Sequence, residues 1–258
     1  MVKLSKPYVS KVCEIRGFSV WVVDGFYIRS NIDEEFTNFG QHYRFGFIPK
    51  DELWVDKEYS NNEMEYYITH MLMENRLMAE KIKDNGTIEK RAIKKIYDDA
   101  IEKADLKEIA DRKKSEFYKK TIGEKKLSVK ETIGRIHRKL LRKYSKKIDV
   151  WVINGELVRD LFFVDFTEGG HDKVYNFIPE NEIWLDDDIS LKERGFVLLH
   201  EICERNEMAG GKEYNPAHFM ASSLEHYCRM NPDELEKHLQ DEFRKAEECG
   251  GRDSQMFG

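Results

Sequence analysis

The run Val197-Leu198-Leu199-His200-Glu201-Ile202-Cys203-Glu204 puts three chemically able side chains into eight residues. On a helix, residues four apart point the same way, so His200 and Glu204 share a face and could grip one cation from adjacent turns. Glu201 lies beside them, placed to take a proton from a water that such an ion acidifies. His218, 14 residues beyond Glu204, falls in the first turn of the next expected helix and offers a third ligand. Glu225 lies seven residues further along, on the same face, as a supporting group. His171, in Gly169-Gly170-His171, reads as a fourth ligand or as a group that stabilises an oxyanion. Two imidazoles and a carboxylate around an open position form a shell that activates water on zinc. The same spacing has a plainer reading, a helical His–Glu pair that is only structural.

The elements that must position these groups occur twice. Val20–Met78 lies over Val150–Met208 at a constant offset of 130, with 19 of 59 pairs identical and no gap. Val-Trp-Val, Phe-Thr, Phe-Ile-Pro and Glu-x-Trp-x-Asp recur in both copies. After 13 extra residues in the first copy, Tyr97 matches Tyr214, Ala100 matches Ala217 and Glu108 matches Glu225. Each copy begins with β-branched and aromatic stretches, Phe18–Ile28 and Ile148–Val158. Their Asp24-Gly25 and Asn154-Gly155 pairs read as hairpin turns. Further short strands are expected at Phe45–Ile48 with Leu53–Val55, and at Val174–Ile178 with Ile183–Leu185. Helical periodicity follows behind the capping boxes Ser60-x-x-Glu63 and Ser190-x-x-Glu193. In the second copy, Gly210-Gly211 should stop that helix, and Asn215-Pro216 and Asn231-Pro232 should open two more. Trp54 and Trp184 read as core anchors. The expectation is an α+β fold: a tandem duplication of a small-sheet-plus-helices module, joined by a basic helical connector. Its parts are an N-terminal repeat over 1–118, the connector over 119–147 and a C-terminal repeat over 148–258.

His200-Glu201-x-x-Glu204 resembles a variant of the H-E-x-x-H active helix of the zincin metallopeptidases, over the second repeat alone. The resemblance implies a helix lying against a small sheet, with His200 as ligand, Glu201 as general base and His218 in the place of the downstream ligand. Glu204 departs from the pattern, which has histidine there. That change leaves zinc usable and shifts the balance toward harder ions such as iron or manganese. The first repeat keeps His70 and Glu74 opposite His200 and Glu204. It has Met71, Ile101 and Gln41 opposite Glu201, His218 and His171. Either the first repeat is a decayed catalytic copy, or the His–Glu pair is architectural in both.

Charge supplies the competing function. The chain has 43 Lys+Arg and 49 Asp+Glu, a net charge of -6, yet Arg112–Lys147 holds 15 Lys+Arg against three Glu. Ser128-x-x-Glu131 is a third capping box. Behind it Ile133, Ile136, Leu140 and Tyr144 fall on one helical face, with Arg138, Arg142, Lys143 and Lys146 largely off it. Such a helix could lie along a phosphate backbone or an acidic protein, with the two repeats packed about a pseudo-twofold axis. No stretch of 18 apolar residues is present, which excludes a helical membrane span. The N-terminus lacks a signal-peptide core, and the four scattered cysteines read as reduced thiols, so a cytoplasmic setting is expected. No P-loop, dinucleotide fingerprint or G-x-S-x-G elbow occurs. Two readings follow: a metal-dependent hydrolase of peptidase or amidase type, active in the second repeat, or a non-catalytic nucleic-acid- or protein-binding protein that uses the basic segment.

Overall fold

A computed structural model describes residues 5–59, 62–85, 90–122, 127–144 and 146–249. In chain order its elements are β1 (Tyr8–Ile15), β2 (Phe18–Val23), α1 (Gly25–Asn31), β3 (Phe39–Gly40), β4 (Glu52–Asp56), α2 (Met64–Asn85), α3 (Lys90–Arg112) and α4 (Glu116–Ile122). There follow α5 (Val129–Ile136), β5 (His137–Leu140), β6 (Asp149–Ile153), α6 (Gly155–Leu161), β7 (Gly169–His171), β8 (Glu182–Asp186), α7 (Leu191–Ala209), α8 (Tyr214–Met230) and α9 (Leu235–Cys249). The protein is α+β, and the duplication is plain in its topology: two four-stranded mixed sheets of order β1-β2-β4-β3 and β5-β6-β8-β7. Among the described residues no helix is long and apolar enough to cross a membrane.

By internal contacts the chain divides into two units. The first comprises Met1–Arg29, Glu35–Leu127 and Glu156–Asp165; the second comprises Ser30–Glu34, Ser128–Gly155 and Phe166–Gly258. Residues 119–127 thus group with the first unit and 128–147 with the second.

The Asp-Gly and Asn-Gly pairs do not make hairpins. β2 runs parallel to β4 and β6 parallel to β8, with Trp21 opposite Trp54 and Trp151 opposite Trp184. A parallel neighbour cannot follow through a two-residue turn, so each glycine instead opens a short helix that carries the chain away. Glycine is needed there for space. A Cβ on Gly25 would stand 1.8 Å from the Asp56 carboxylate, and one on Gly155 would stand 2.1 Å from that of Asp186. Asp56 is itself fully buried and paired with Arg29 at 3.0 Å.

The expected strands at Phe45–Ile48 and Val174–Ile178 are turns. Their i→i+3 bonds, from Ile48 N to Phe45 O and from Ile178 N to Tyr175 O, tuck aromatic rings beneath the sheet rather than extending it. In the first unit Phe45 and Ile48 join Val23, Ile28, Phe36 and Trp54 in one apolar cluster. Trp54 and Trp184 are core residues, each anchored by its indole N–H to the glutamate two residues earlier.

The basic segment is helical only in part. Ser128 and Glu131 close the expected capping box on α5, but the helix ends at Ile136. His137–Leu140 forms β5 on the edge of β6, as β1 does on β2. Ladder hydrogen bonds and the stacking of His137 on Trp151, 4.0 Å between ring centres, prevail over the helical period. Arg138, Lys143 and Lys146 lie against Asp187, Glu236 and Glu247 of their own unit. Gly210 caps α7 as expected, whereas α8 starts at Tyr214 behind Glu213, slightly ahead of Asn215-Pro216. A short 3₁₀ turn at Pro232–Glu234 leads into α9.

The two kinds of glycine separate cleanly by experiment. Gly25→Ala should cost about 2–4 kcal/mol in urea unfolding, because the new methyl displaces a buried carboxylate from its arginine. Gly134→Ala, inside α5 with nothing within 4 Å of the added methyl, should gain about 0.5–1 kcal/mol from helix propensity.

Candidate metal centre

Three elements of the second unit build the site. α7 carries Val197, His200, Glu201 and Glu204 along one flank, β7 lies across that flank, and α8 packs alongside. Alternation along β7 turns Gly169 and His171 to the same side, toward α7. Gly169 lies over Val197 and Glu201, where an added Cβ would come within 2.8 and 3.1 Å of them. His171, one pleat on, meets Glu204 with Nε2 at 2.9 Å from Oε1. The α8 helix brings His218 to the other carboxylate oxygen, with Nδ1 at 2.7 Å from Oε2.

His200 and Glu204 are held from behind. His200 Nδ1 lies 2.9 Å from Glu225 Oε2, which leaves Nε2 facing the cluster. Glu225 accepts from Arg229, and Arg229 also donates to both oxygens of Glu193 at 2.9 and 3.2 Å. His171 is fully buried, and its ring is assigned by its surroundings. The Lys173 backbone N–H donates to Nδ1, so the proton sits on Nε2 and is donated to Glu204 Oε1. His171 thereby orients Glu204, and its Nε2 stays within the donor cluster with Glu201 and Glu204.

What remains is a small triangle of donor atoms. His200 Nε2 is 3.2 Å from His218 Nδ1 and 3.6 Å from Glu204 Oε2, and the third side is the 2.7 Å contact between His218 and Glu204. Ligands at the usual zinc distance of about 2.0–2.1 Å stand about 3.3 Å apart at tetrahedral angles, so the triangle has the size of a metal shell. His171, Glu201 and Glu204 form a second group, with ligand atoms within 4.8 Å of one another and Glu204 shared with the first, and Asp186–Asp188 form a third. Tyr214 stacks on the His218 ring, and the cluster faces solvent on the His218 side.

Burial and neighbours set the charges. Burial raises Glu201 to about 7, against the pull of His171 and His200. Burial also opposes ionisation of Glu204, but hydrogen bonds from His171, His200 and His218 hold it well below the usual carboxylate range. For Glu225, the hydrogen bond from His200 and the Arg229 charge overcome burial and bring it to about 2. Glu204 and Glu225 in turn hold His200 well above the ordinary imidazole value despite its burial. All five groups singled out on α7 and α8, and His171 with them, are therefore brought together. The arginine that ties the arrangement was not singled out from sequence. The signal was present, since Arg112 and Arg229 match at the same displacement as Glu108 and Glu225.

Comparison with protein-family models, with curated proteins and with solved structures finds no match. The first unit is the informative comparison. There the outer frame is identical: His70 Nδ1 lies 2.9 Å from Glu108, which accepts from Arg112, which donates to Glu63. Arg159 donates to Glu63 as well, so the Glu63 and Glu193 carboxylates both serve arginines. Ser190 receives its half of the second capping box from the Glu193 N–H alone, and Ser60 of the first lies outside the described residues. The interior is different. Phe39 stands where Gly169 leaves room and packs on His70 at 5.1 Å; Met71 fills the place of Glu201; Gln41 donates to Glu74 in place of His171.

Hydrogen bonds to Glu108 and Glu74 overcome burial and raise His70 to about 10. A raised imidazole stabilises the fold fully below its unfolded value of about 6.5, and that contribution is lost as pH rises through about 10. The His70 ring should therefore stay doubly protonated at pH 8.5 by ¹⁵N NMR. Wild-type unfolding free energy should fall by about 3 kcal/mol from pH 7 to 10 relative to His70→Gln, the order set by a shift of a few pKa units.

Proposed function

We propose that the second unit is a metal-dependent hydrolase that binds one divalent transition ion through His200, Glu204 and His218. The reading rests on one observation: three donor atoms from two helices converge within 3.6 Å, with His200 held from behind by Glu225 and Glu204 by His171. Zinc suits the two nitrogens and one oxygen; iron or manganese suits the added carboxylate. When bound, the ion supplies Lewis acidity and lowers the pKa of water. Glu225 fixes the His200 tautomer, as carboxylates behind metal-bound imidazoles do. His171 holds one oxygen of Glu204 and leaves the other for the ion. Glu201, raised by burial to about 7, is poised near neutrality to accept a proton from water and return it to a leaving group. Peptide or amide bonds are the proposed substrates, in keeping with the resemblance to the zincin helix and with an α7 that packs on β7 and β8. The first unit, with Phe39, Met71 and Gln41 at the corresponding places, is the non-catalytic copy.

Purified protein should carry about one equivalent of transition metal by elemental analysis. His200→Ala and His218→Ala should lose it, while His70→Ala keeps it. Glu201→Gln should retain the metal and lower turnover of peptide substrates by about 10²–10⁴-fold. Metal-free protein that takes up neither zinc, manganese nor iron on titration would overturn the assignment.

A further inference from the structure

In the second unit a third helix lies across α7. Asn206 donates to the main-chain oxygen and the carboxylate of Glu242 at 2.8 and 2.9 Å, Phe243 stacks on Tyr144, and Glu247 lies 3.8 Å from Lys146. Leu239 is buried there. The repeat carries Asn206 onto Arg76 of the first unit, where Arg16 stands in the turn between β1 and β2. Between those two arginines runs an open groove of about 520 Å³, with Phe18, Leu72 and Ala79 among its apolar lining and Lys50 on its rim. At the displacement that matches Glu108 to Glu225, the described part of the stretch corresponding to α9 includes the end of α4 and the start of α5. Among the described residues neither helix lines the groove.

The differences between the two places run in one chemical direction. In the second unit the corner is closed by the ion pair of Arg205 with Asp172 at 2.6 Å. The first unit has Asn75 and His42 there. Asn75 turns away to the Met71 carbonyl, and His42 Nδ1 is buried without a hydrogen-bond partner among the described residues. Lys50 replaces Glu180. Among the described residues lining the groove none carries a carboxylate and three carry a full positive charge, of which Arg76 lies 3.8 Å from Glu80 at the edge of the groove. An apolar floor with a cationic rim complements a helix with leucine and aromatic residues on one face and acids on the other. α9 has such a balance: Leu235, Leu239 and Phe243 are four apart, and Glu236, Asp241, Glu242, Glu247 and Glu248 outnumber Lys237, Arg244 and Lys245.

We infer that this groove of the first unit is a docking site for an acidic amphipathic helix of a partner protein, seated on α2 as α9 is seated on α7. The inference is independent of the metal centre. The test uses the full chain and, as probe, a fluorescein-labelled peptide of residues 233–248, followed by fluorescence anisotropy. Binding should be micromolar and several-fold weaker at 300 mM than at 50 mM NaCl. It should weaken at least tenfold in Arg76→Glu and in Arg16→Glu, two exposed positions, and be lost in Ala79→Trp. Circular dichroism should show all three folded; if Ala79→Trp is not, the two charge reversals decide. No binding at millimolar peptide, or equal binding by wild type and the charge-reversed variants, would overturn the inference. So would displacement of the peptide by a mononucleotide at equimolar concentration, which would mark a small-anion site. Self-association abolished by Ala79→Trp would give the groove to a second copy instead.

Discussion

A carboxylate buried among imidazoles stays ionised only if both its oxygens are met, and Glu204 satisfies that condition by dividing its oxygens between two sources. One is fixed by His171 from a strand, the other faces His200 and His218 from helices. Leaving either unmet would carry the desolvation cost of a buried charge, several kcal/mol. The register of β7 on β8, the crossing of α7 over that strand and the first turn of α8 all have to agree for this one side chain. The rest of the second unit can be read as the apparatus that makes them agree.

Part of that apparatus is shared by both units. A glutamate at the head of the first long helix, an arginine on the next helix and a glutamate four residues before that arginine recur with the same contacts. Such chains of buried ion pairs are costly to assemble and strongly destabilising to break, which suits them to fixing geometry more than to adding stability. The frame reaches as far as the imidazole nitrogen and stops there. Around the candidate site the units differ on the other side of the ring, at Phe39, Gln41, Met71 and Ile101 against Gly169, His171, Glu201 and His218. The His–Glu pair thus has the same support in both units, and in the second it has Glu201, His171 and His218 as neighbours.

The repeat, the α+β character and the gathering of His200, Glu201, Glu204, His218 and Glu225 were all legible from spacing, because helical periodicity is a local property. Strand pairing is not local. The glycines at 25 and 155 carried a strong turn signal, and only the parallel partners show that they open helices beside a buried aspartate. The connector beyond Ile136 kept a helical period, yet the open edge of β6 drew it into a ladder. His171 was visible as a residue type but not as a tautomer, since its role depends on a backbone N–H two residues away. Arg229 was overlooked because a lone arginine on a helix has no motif; its meaning comes from two carboxylates distant in sequence.

Gly169 adds a point about how such a site can change. α7 passes so close to β7 that even a methyl group at this position would press on Val197 and Glu201. The position therefore has no intermediate settings. Side chains of graded size cannot tune the acid beneath it, because the smallest of them already collides. In the first unit, where the helix and strand carry Met71 and Phe39 instead, the same place holds an aromatic ring packed on the imidazole of His70.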